Sequence, residues 1–496
     1  MIALSRLMRL ACIVGPLLIH PVPAAAAEDF GSARARMLSW TATGSAAGNQ
    51  GDYYDNRDGG HSLLKIDKFP GLTQIQYAKG EVRSRGWGLQ TQVLPNVTFG
   101  NSSTAGQVDQ YGSHIRMACS SPGLSSQLYQ QYIKNNIYIY PEHNDHDPGH
   151  NGKGGYGDLI PLNTPYLIGT RGSSGSDEPA MLGIGLALGS LRPETKKRLT
   201  ETGLLMPTIQ MLFRTCQAGV ASKADYLSGK AHPSVFDGPK LQYVRLVEMA
   251  HALTPADIPA LVQLKVLEED TPQPGVDYFE PGGRNEKLSD TPAAIGRIFR
   301  GRQYQRTLVI SAEDSYDVNA RQRTFHWVVL RGDPARIKIV PRDARKSVVE
   351  IMVPYHARAP IPSQPTIESN RVDIGVFVHN GKNFSAPGFI CFYSLDNERR
   401  RYDDQGRIQE IDYMTGNFAD KRLTTNKPWR DVYQNQEGKP TGWTRHYADG
   451  RQEQYTDDGR LLRPGANGAA VPVVVDYQAA PGDKPRTQVM RVVPRS

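Results

Sequence analysis

Near residue 260 the hydrophobic pattern changes period, and that change sets what the chain can fold into. Upstream, Pro179–Leu191, Pro193–Glu201 and Thr208–Cys216 carry helical spacing, with Pro193 suited to a first helical turn. Leu241–Ala252 is a further amphipathic helix, with Leu241, Val244, Leu246, Val247 and Ala250 near one face. Short apolar runs at Leu63–Ile66, Thr73–Tyr77, Gln90–Leu94, Ile137–Tyr140 and Tyr166–Gly169 are expected as strands among these helices. From Ala260 the period is two: Leu261, Gln263 and Lys265 alternate with Val262, Leu264 and Val266. Thr307–Ile310, Thr324–Leu330, Arg336–Val340, Val348–Val353 and Val372–Val378 follow as strands at sandwich spacing, and Thr271–Asp290 is expected as an exposed insertion or linker. The fold class is therefore multidomain α+β. A mixed α/β domain at 28–259 is the candidate functional part, a β-sandwich spans 260–397, β-hairpin repeats span 398–463, and 464–496 is a mostly flexible tail.

Residues 1–27 have the make-up of a secretory signal peptide. Arg6 and Arg9 precede the apolar run Leu10–Ile19, and Ala24–Ala27 supply a small-residue cleavage end. That run is too short to span a bilayer, so a secreted or periplasmic location with no transmembrane segment after cleavage is expected. Cys119, Cys216 and Cys391 remain beyond this segment, an odd number. One bridge, preferably Cys119–Cys216, with one buried free thiol is the simplest arrangement in an oxidising compartment. The net charge of +8 is spread along the chain, with Arg399–Arg401 as its densest patch. It fits a solvated surface, or contact with an acidic polysaccharide or cell-surface component. The chain has no nucleotide-binding loop, dinucleotide fingerprint, zinc cysteine pairs or nucleic-acid module.

Within 260–397, Ser311-Ala-Glu-Asp-Ser315-Tyr-Asp317-Val-Asn319 leads to Phe325-His-Trp327 and then Gly332-Asp333. This order resembles the PKD-like, immunoglobulin-type modules of exported bacterial proteins. The resemblance implies an Ig-like β-sandwich whose Trp327 packs between two sheets, in a spacer or binding module. Ala320 stands where such modules have Gly, and Gly332-Asp333-Pro334 replaces their G-D-G. Tyr402–Arg407, Tyr433–Lys439, Tyr447–Arg451 and Tyr455–Arg460 form a weak repeat that places Asp, Gln or Glu beside Gly. It is similar to the YD-type hairpin repeats of bacterial surface proteins, and ordinary tight hairpins explain it equally well.

Three polar constellations could carry chemistry. The densest is Glu142-His143-Asn-Asp145-His146-Asp147-Pro-Gly-His150. Imidazoles and carboxylates at this density, in a loop after a strand, can converge on a divalent ion, zinc being the best fit. His143, His146, His150 and Asp147 are then metal ligands and Glu142 or Asp145 the base. Read structurally, the same loop is a solvated turn. Second, Arg171-Gly-Ser173-Ser174-Gly175-Ser176-Asp177 lies between a strand and a helix, where Ser174 could be an exposed nucleophile. A plain N-cap by Ser176 accounts for it more simply. Third, Asp55, Asn56 and Asp58 offer hard oxygen ligands for calcium in a turn ending in glycines, without the alternation of an EF-hand. His251 on the Leu241–Ala252 helix reads as a packing histidine.

Two functions follow from different classes. One is a metal-assisted hydrolase or lyase acting on an extracellular polymer. The other is a non-catalytic, surface-associated binding or structural protein. With 23 Tyr against 13 Phe, the chain is rich in the amphipathic aromatics that suit contact surfaces.

Overall fold

The structure is a computed structural model that describes residues 24–55, 64–76, 98–101, 107–108, 112–113, 121–142, 155–156, 162–172, 175–236, 240–279, 286–361, 364–414, 429–479 and 490–494. Six strands of the first half pair in one sheet: β1 (Gly51–Asp55), β2 (Leu72–Gln76), β3 (Thr98–Asn101), β4 (Asn136–Glu142), β5 (Leu167–Arg171) and β6 (Val235–Phe236). Their order is 2-1-3-4-5-6, and every pairing is parallel. Ile137, Ile139, Tyr140 and Ile168 are fully or almost fully buried. Coverage on both faces explains why these strands read as unbroken apolar runs instead of alternating.

The main helices here are α1 (Ala24–Ala42), α2 (Pro122–Tyr132), α3 (Glu178–Ser190), α4 (Pro193–Glu201), α5 (Leu205–Thr215) and α6 (Tyr243–Ala252). α3 is buried along its whole length from Ala180 to Ser190, as a helix apolar on every side must be. Its glycines let neighbours close in. A Cβ on Gly185 would lie 2.8 Å from the Phe69 ring, and one on Gly189 would lie 2.4 Å from Met37 Sδ of α1. Among the described residues, no helix is long and apolar enough to cross a membrane.

Past residue 260, two sheets face each other. One has four strands in the order β7 (Lys265–Glu269), β10 (Gln305–Ser311), β13 (Val348–Pro354), β12 (Lys338–Pro341). The other has five, in the order β8 (Lys287–Thr291), β9 (Ala294–Phe299), β15 (Gly388–Ser394), β14 (Val372–His379), β11 (Thr324–Arg331). Leu308, Ile310, Val349 and Ile351 of the first pack against Ile374, Val376, Ile390 and Phe392 of the second in one buried cluster. Phe377, on the other face of β14, belongs instead to the core of the parallel-sheet half. The five-stranded sheet is thus covered on both sides, and the two halves share a continuous interior. Polar ties cross the same boundary: Tyr226 donates to the Ser385 carbonyl at 2.8 Å, and Arg371 Nη2 to Ser234 Oγ at 2.8 Å. Trp327 is half-buried against the sandwich core, and its indole N–H donates to the Lys346 carbonyl at 2.9 Å. It closes the rim of the sandwich, whereas Phe325 and the branched aliphatics fill the middle.

The chain then runs through a seven-stranded antiparallel meander: β16 (Glu398–Tyr402), β17 (Ile408–Tyr413), β18 (Trp429–Gln436), β19 (Lys439–Tyr447), β20 (Gln452–Thr456), β21 (Leu461–Pro464) and β22 (Ala470–Val473). Three of its turns share one device. Asp403, Asp449 and Asp458 each accept the guanidinium of the Arg that follows the turn glycine, and Gly406, Gly450 and Gly459 adopt φ of 72°, 88° and 87°. On the inner face Arg445 is completely buried. Its Nε and Nη2 reach the Asp431 carboxylate at 2.7 and 2.9 Å. The guanidinium lies 4.0 Å from the Trp429 ring centre, 4.6 Å from Phe279 and 4.8 Å from Tyr455.

Several expectations are corrected. Thr271–Asp290 is exposed only in part: Thr271, Gln273 and Pro274 are exposed, whereas Phe279 is buried in the aromatic core of the meander and Lys287–Asp290 lie in β8. An aromatic placed among Pro and Gly reads as loop because its burial depends on strands more than 100 residues away. The segment from Pro464 contributes β22, and β23 (Val475–Ala479) pairs with β24 (Met490–Pro494), so Tyr477 can accept from Arg445 at 3.1 Å. Ile66–Lys68 is a single 3₁₀ turn, where the run Leu63–Ile66 had been expected as a strand. Cys216 and Cys391 are both free buried thiols, so the expected Cys119–Cys216 bridge is not formed. Cys119 lies outside the described residues, as do 1–23 and Gln90–Leu94.

At the amino-terminal edge of the parallel sheet, Lys196 of α4 is buried and donates to the Gly48 carbonyl at 2.6 Å. Burial pulls its ammonium from 10.5 down to about 8. The folded chain sheds this proton above pH 8, and the unfolded chain keeps it until about 10.5. This group therefore adds stability as pH rises between those values. Lys196→Met is expected to stabilise the protein at pH 7 by about 2 kcal/mol, net of the lost hydrogen bond. Urea melts at pH 7 and above 10.5 test this: the gain should shrink at the higher pH, and a variant destabilised at pH 7 contradicts it.

Candidate active site at the carboxyl edge of the parallel sheet

Because β1 to β6 are parallel, the residues that follow them emerge along one edge. β1 ends at Asp55, and the candidate calcium residues Asn56 and Asp58 follow it. β4 ends at Glu142 and leads directly into His143–His150. β5 ends at Arg171 and leads to Ser174. Of these, Asp55, Glu142 and Arg171 are described, and as the last residues of parallel strands they lie along one edge of the sheet. Register fixes their levels. Tyr54 pairs with Gly100 and Asn101 with Ile139, so Asp55 and Asn101 stand side by side. Glu142 pairs with Arg171, three residues further out than Ile139.

The strand order reverses once, between β1 and its neighbours β2 and β3. In open parallel sheets of this kind a crevice forms outside the carboxyl ends at such a reversal, because the connections leave in opposite directions. Asp55 on β1 and Asn101 on β3 flank it. Asn101 was not singled out from the sequence. It lies in a Gly/Asn/Ser-rich stretch, and only the topology separates it from an ordinary turn residue.

Asn56, Asp58, His143, Asp145, His146, Asp147, His150 and Ser174 lie outside the described residues, and Asp55 and Glu142 are placed here by backbone position alone. Among the described residues no group of three or more His, Cys, Asp or Glu is arranged to hold a metal. Asp177 is a second residue the sequence undervalued. It is fully buried in the turn between β5 and α3, where its charge suits the amino end of the helix. Asp177, not Ser176, precedes the first turn of α3, and Ser176 Oγ lies 3.3 Å from Thr170 Oγ1. His251 has the packing role expected of it. It stacks on Trp40 at 4.1 Å, and its Nδ1 lies 3.0 Å from the Ser190 carbonyl, at the far end of α3 from this edge.

A buried arginine underlies the opposite edge. Arg214 of α5 is fully buried, its Nε donating to Gln210 at 2.9 Å, with His232 Nδ1 at 3.4 Å. Burial draws the guanidinium down to about 10. Burial first, and Arg214 second, hold His232 well below the usual imidazole range, so it is neutral at physiological pH. This cluster is packed between the two halves, where it fixes their docking.

The described strands thus define an open parallel α/β body with one reversal of strand order, joined to a β-sandwich and a β-meander. No protein-family model and no curated protein matches the chain. Among solved structures, 75% of the chain aligns with a nucleoside hydrolase-related hypothetical protein from Saccharophagus degradans associated with carbohydrate metabolism, at 9% identity over 89% of that protein and a TM-score of 0.20. A likeness this slight carries no argument about the present chain.

Proposed function

We propose that the carboxyl edge of the parallel sheet is the active site of an exported metal-assisted hydrolase or lyase that acts on an extracellular polymer. The observation that supports this reading is the parallel order 2-1-3-4-5-6, which sets the ends of β1, β4 and β5, namely Asp55, Glu142 and Arg171, along one edge of the sheet. His143, His146, His150 and Asp147 are the metal-ligand set, with zinc the best match to imidazole and carboxylate. A bound divalent ion would supply Lewis-acid polarisation of the scissile group. Glu142 or Asp145 takes the proton from the attacking water, and Ser174, in the segment after β5, is a candidate nucleophile. Asp55, Asn56 and Asp58 are a second, harder oxygen set suited to calcium.

One observation favours a binding role for the rest of the chain. The outer face of the meander carries the register row Arg399, Asp412, Arg430, His446 and Gln452, turned away from the aromatic core. A flat polar row of this kind suits an acidic polysaccharide or cell-surface component. The test is a panel of chromogenic glycosides, esters and uronides with the full chain, comparing Asp55→Asn and His146→Ala with Lys196→Met at the opposite edge. Activity lost in the first two and kept in the third supports the site. Activity indifferent to both edge variants, or no hydrolysis or elimination across the panel with polysaccharide binding retained, transfers the function to the β-modules.

A further inference from the structure

A cavity of about 260 Å³ lies where α5 and α6 meet the β-sandwich half. Met211, Leu212, Met249 and Leu253 give it an apolar wall, with Leu212 completely buried and Met211 and Leu253 almost so. Its polar lining comes from Asp257, in the 3₁₀ turn Pro255–Asp257, and from Lys382 and Asn383 in the loop between β14 and β15. The buried Asn380 shapes that loop: its Oδ1 accepts the backbone N–H groups of Lys382 and Asn383 at 3.1 and 3.0 Å. Asn383 Nδ2 then donates to the Asp257 carbonyl at 2.6 Å, so both charged residues are carried on one hydrogen-bonded frame. The Thr254 hydroxyl donates to Asp257 Oδ2 at 2.6 Å and holds that carboxyl below the usual carboxylate range. The cavity thus sets one carboxylate and one ammonium beside an apolar wall.

We infer that this cavity binds a free α-amino acid with an apolar side chain, such as leucine or methionine. The zwitterion matches the lining group by group. Its α-ammonium meets the Asp257 carboxylate, its α-carboxylate meets the Lys382 ammonium, and its side chain covers the Met and Leu wall. A carboxylate accepts several hydrogen bonds, so Asp257 can serve the ligand while it keeps Thr254. A fatty acid or an alkylamine would satisfy one of the two charges and set the other against its own sign or an apolar group, which is how the site discriminates. The volume takes a small molecule and not a polymer chain. Because α5 and α6 supply the wall and the β14–β15 loop supplies Lys382, the bound amino acid bridges the two halves of the chain. None of the carboxyl-edge residues takes part, so this site stands or falls apart from the proposed catalysis.

The test is isothermal titration calorimetry of the full chain with L-leucine, together with its melting temperature, which binding raises by mass action. The expected result is one leucine per chain. Leucinamide lacks the carboxylate and isocaproate lacks the ammonium, and each should bind at least about tenfold more weakly than leucine. Lys382→Met should weaken leucine binding by the same factor. Ala252 lies exposed at the rim of the cavity, so Ala252→Phe fills the space without touching either charge and should abolish binding. Circular dichroism checks that both variants fold. Three outcomes overturn the proposal: no heat and no rise in melting temperature at millimolar leucine, leucinamide or isocaproate binding as tightly as leucine, or unchanged affinity in either variant.

Discussion

Asp431→Ala is expected to destabilise the protein by about 3–5 kcal/mol, among the largest effects of any single substitution in this chain. The carboxylate is fully buried and takes two hydrogen bonds from the equally buried Arg445. Removing it strands a guanidinium among Trp429, Phe279, Tyr455 and Tyr477. Cation–π contact returns only about 0.5–2 kcal/mol of what an unpaired buried charge loses. The pair itself is a weaker source of stability than the damage from breaking it suggests, because both groups were desolvated to form it. The double variant Asp431→Leu/Arg445→Met should therefore recover most of the loss. Urea melts followed by tryptophan fluorescence check both, since Trp429 and Trp443 lie in this core. A single variant as stable as the parent would show that the cage is open to water.

The second large effect concerns turnover. Glu142 is the last residue of β4, level with Arg171 at the carboxyl edge. If its carboxylate takes the proton from water, Glu142→Gln keeps the size and removes the base. It should lower kcat by about 10²–10⁴ while changing KM little. The acid limb of the pH–rate profile should vanish with it. Asp145→Asn is the alternative arm: the same loss there, with Glu142→Gln silent, moves the base three residues into the segment after β4. Full activity in both variants would remove the acid–base role from this loop.

How far the sequence could be read depends on how local each signal is. α3, α4, α5 and α6 were legible because prolines and helical spacing lie within a dozen residues. β10, β11, β13 and β14 were legible as period-two or branched runs. The parallel order of β1 to β6 was not, since no periodicity within a strand reveals which strand lies beside it. Helix α2 was missed because Gln127, Gln130 and Gln131 mask its buried face, on which Leu128 and Tyr132 are buried and Ser125 Oγ meets Ser289 Oγ of β8 at 2.6 Å. Asp431 and Arg445 were unremarkable in sequence, because a buried ion pair is visible only once its strands are adjacent.

A metal-dependent site at the carboxyl edge of the parallel sheet, as proposed, requires a bound ion held by the His143–His150 segment. Its most direct test is the elemental analysis of untagged full-length protein purified without added metal, compared with His143→Ala/His146→Ala. The account predicts near-stoichiometric zinc, manganese, nickel or iron in the parent and its loss from the folded double variant. A well-folded parent free of these metals, or metal retained by the double variant, would contradict it.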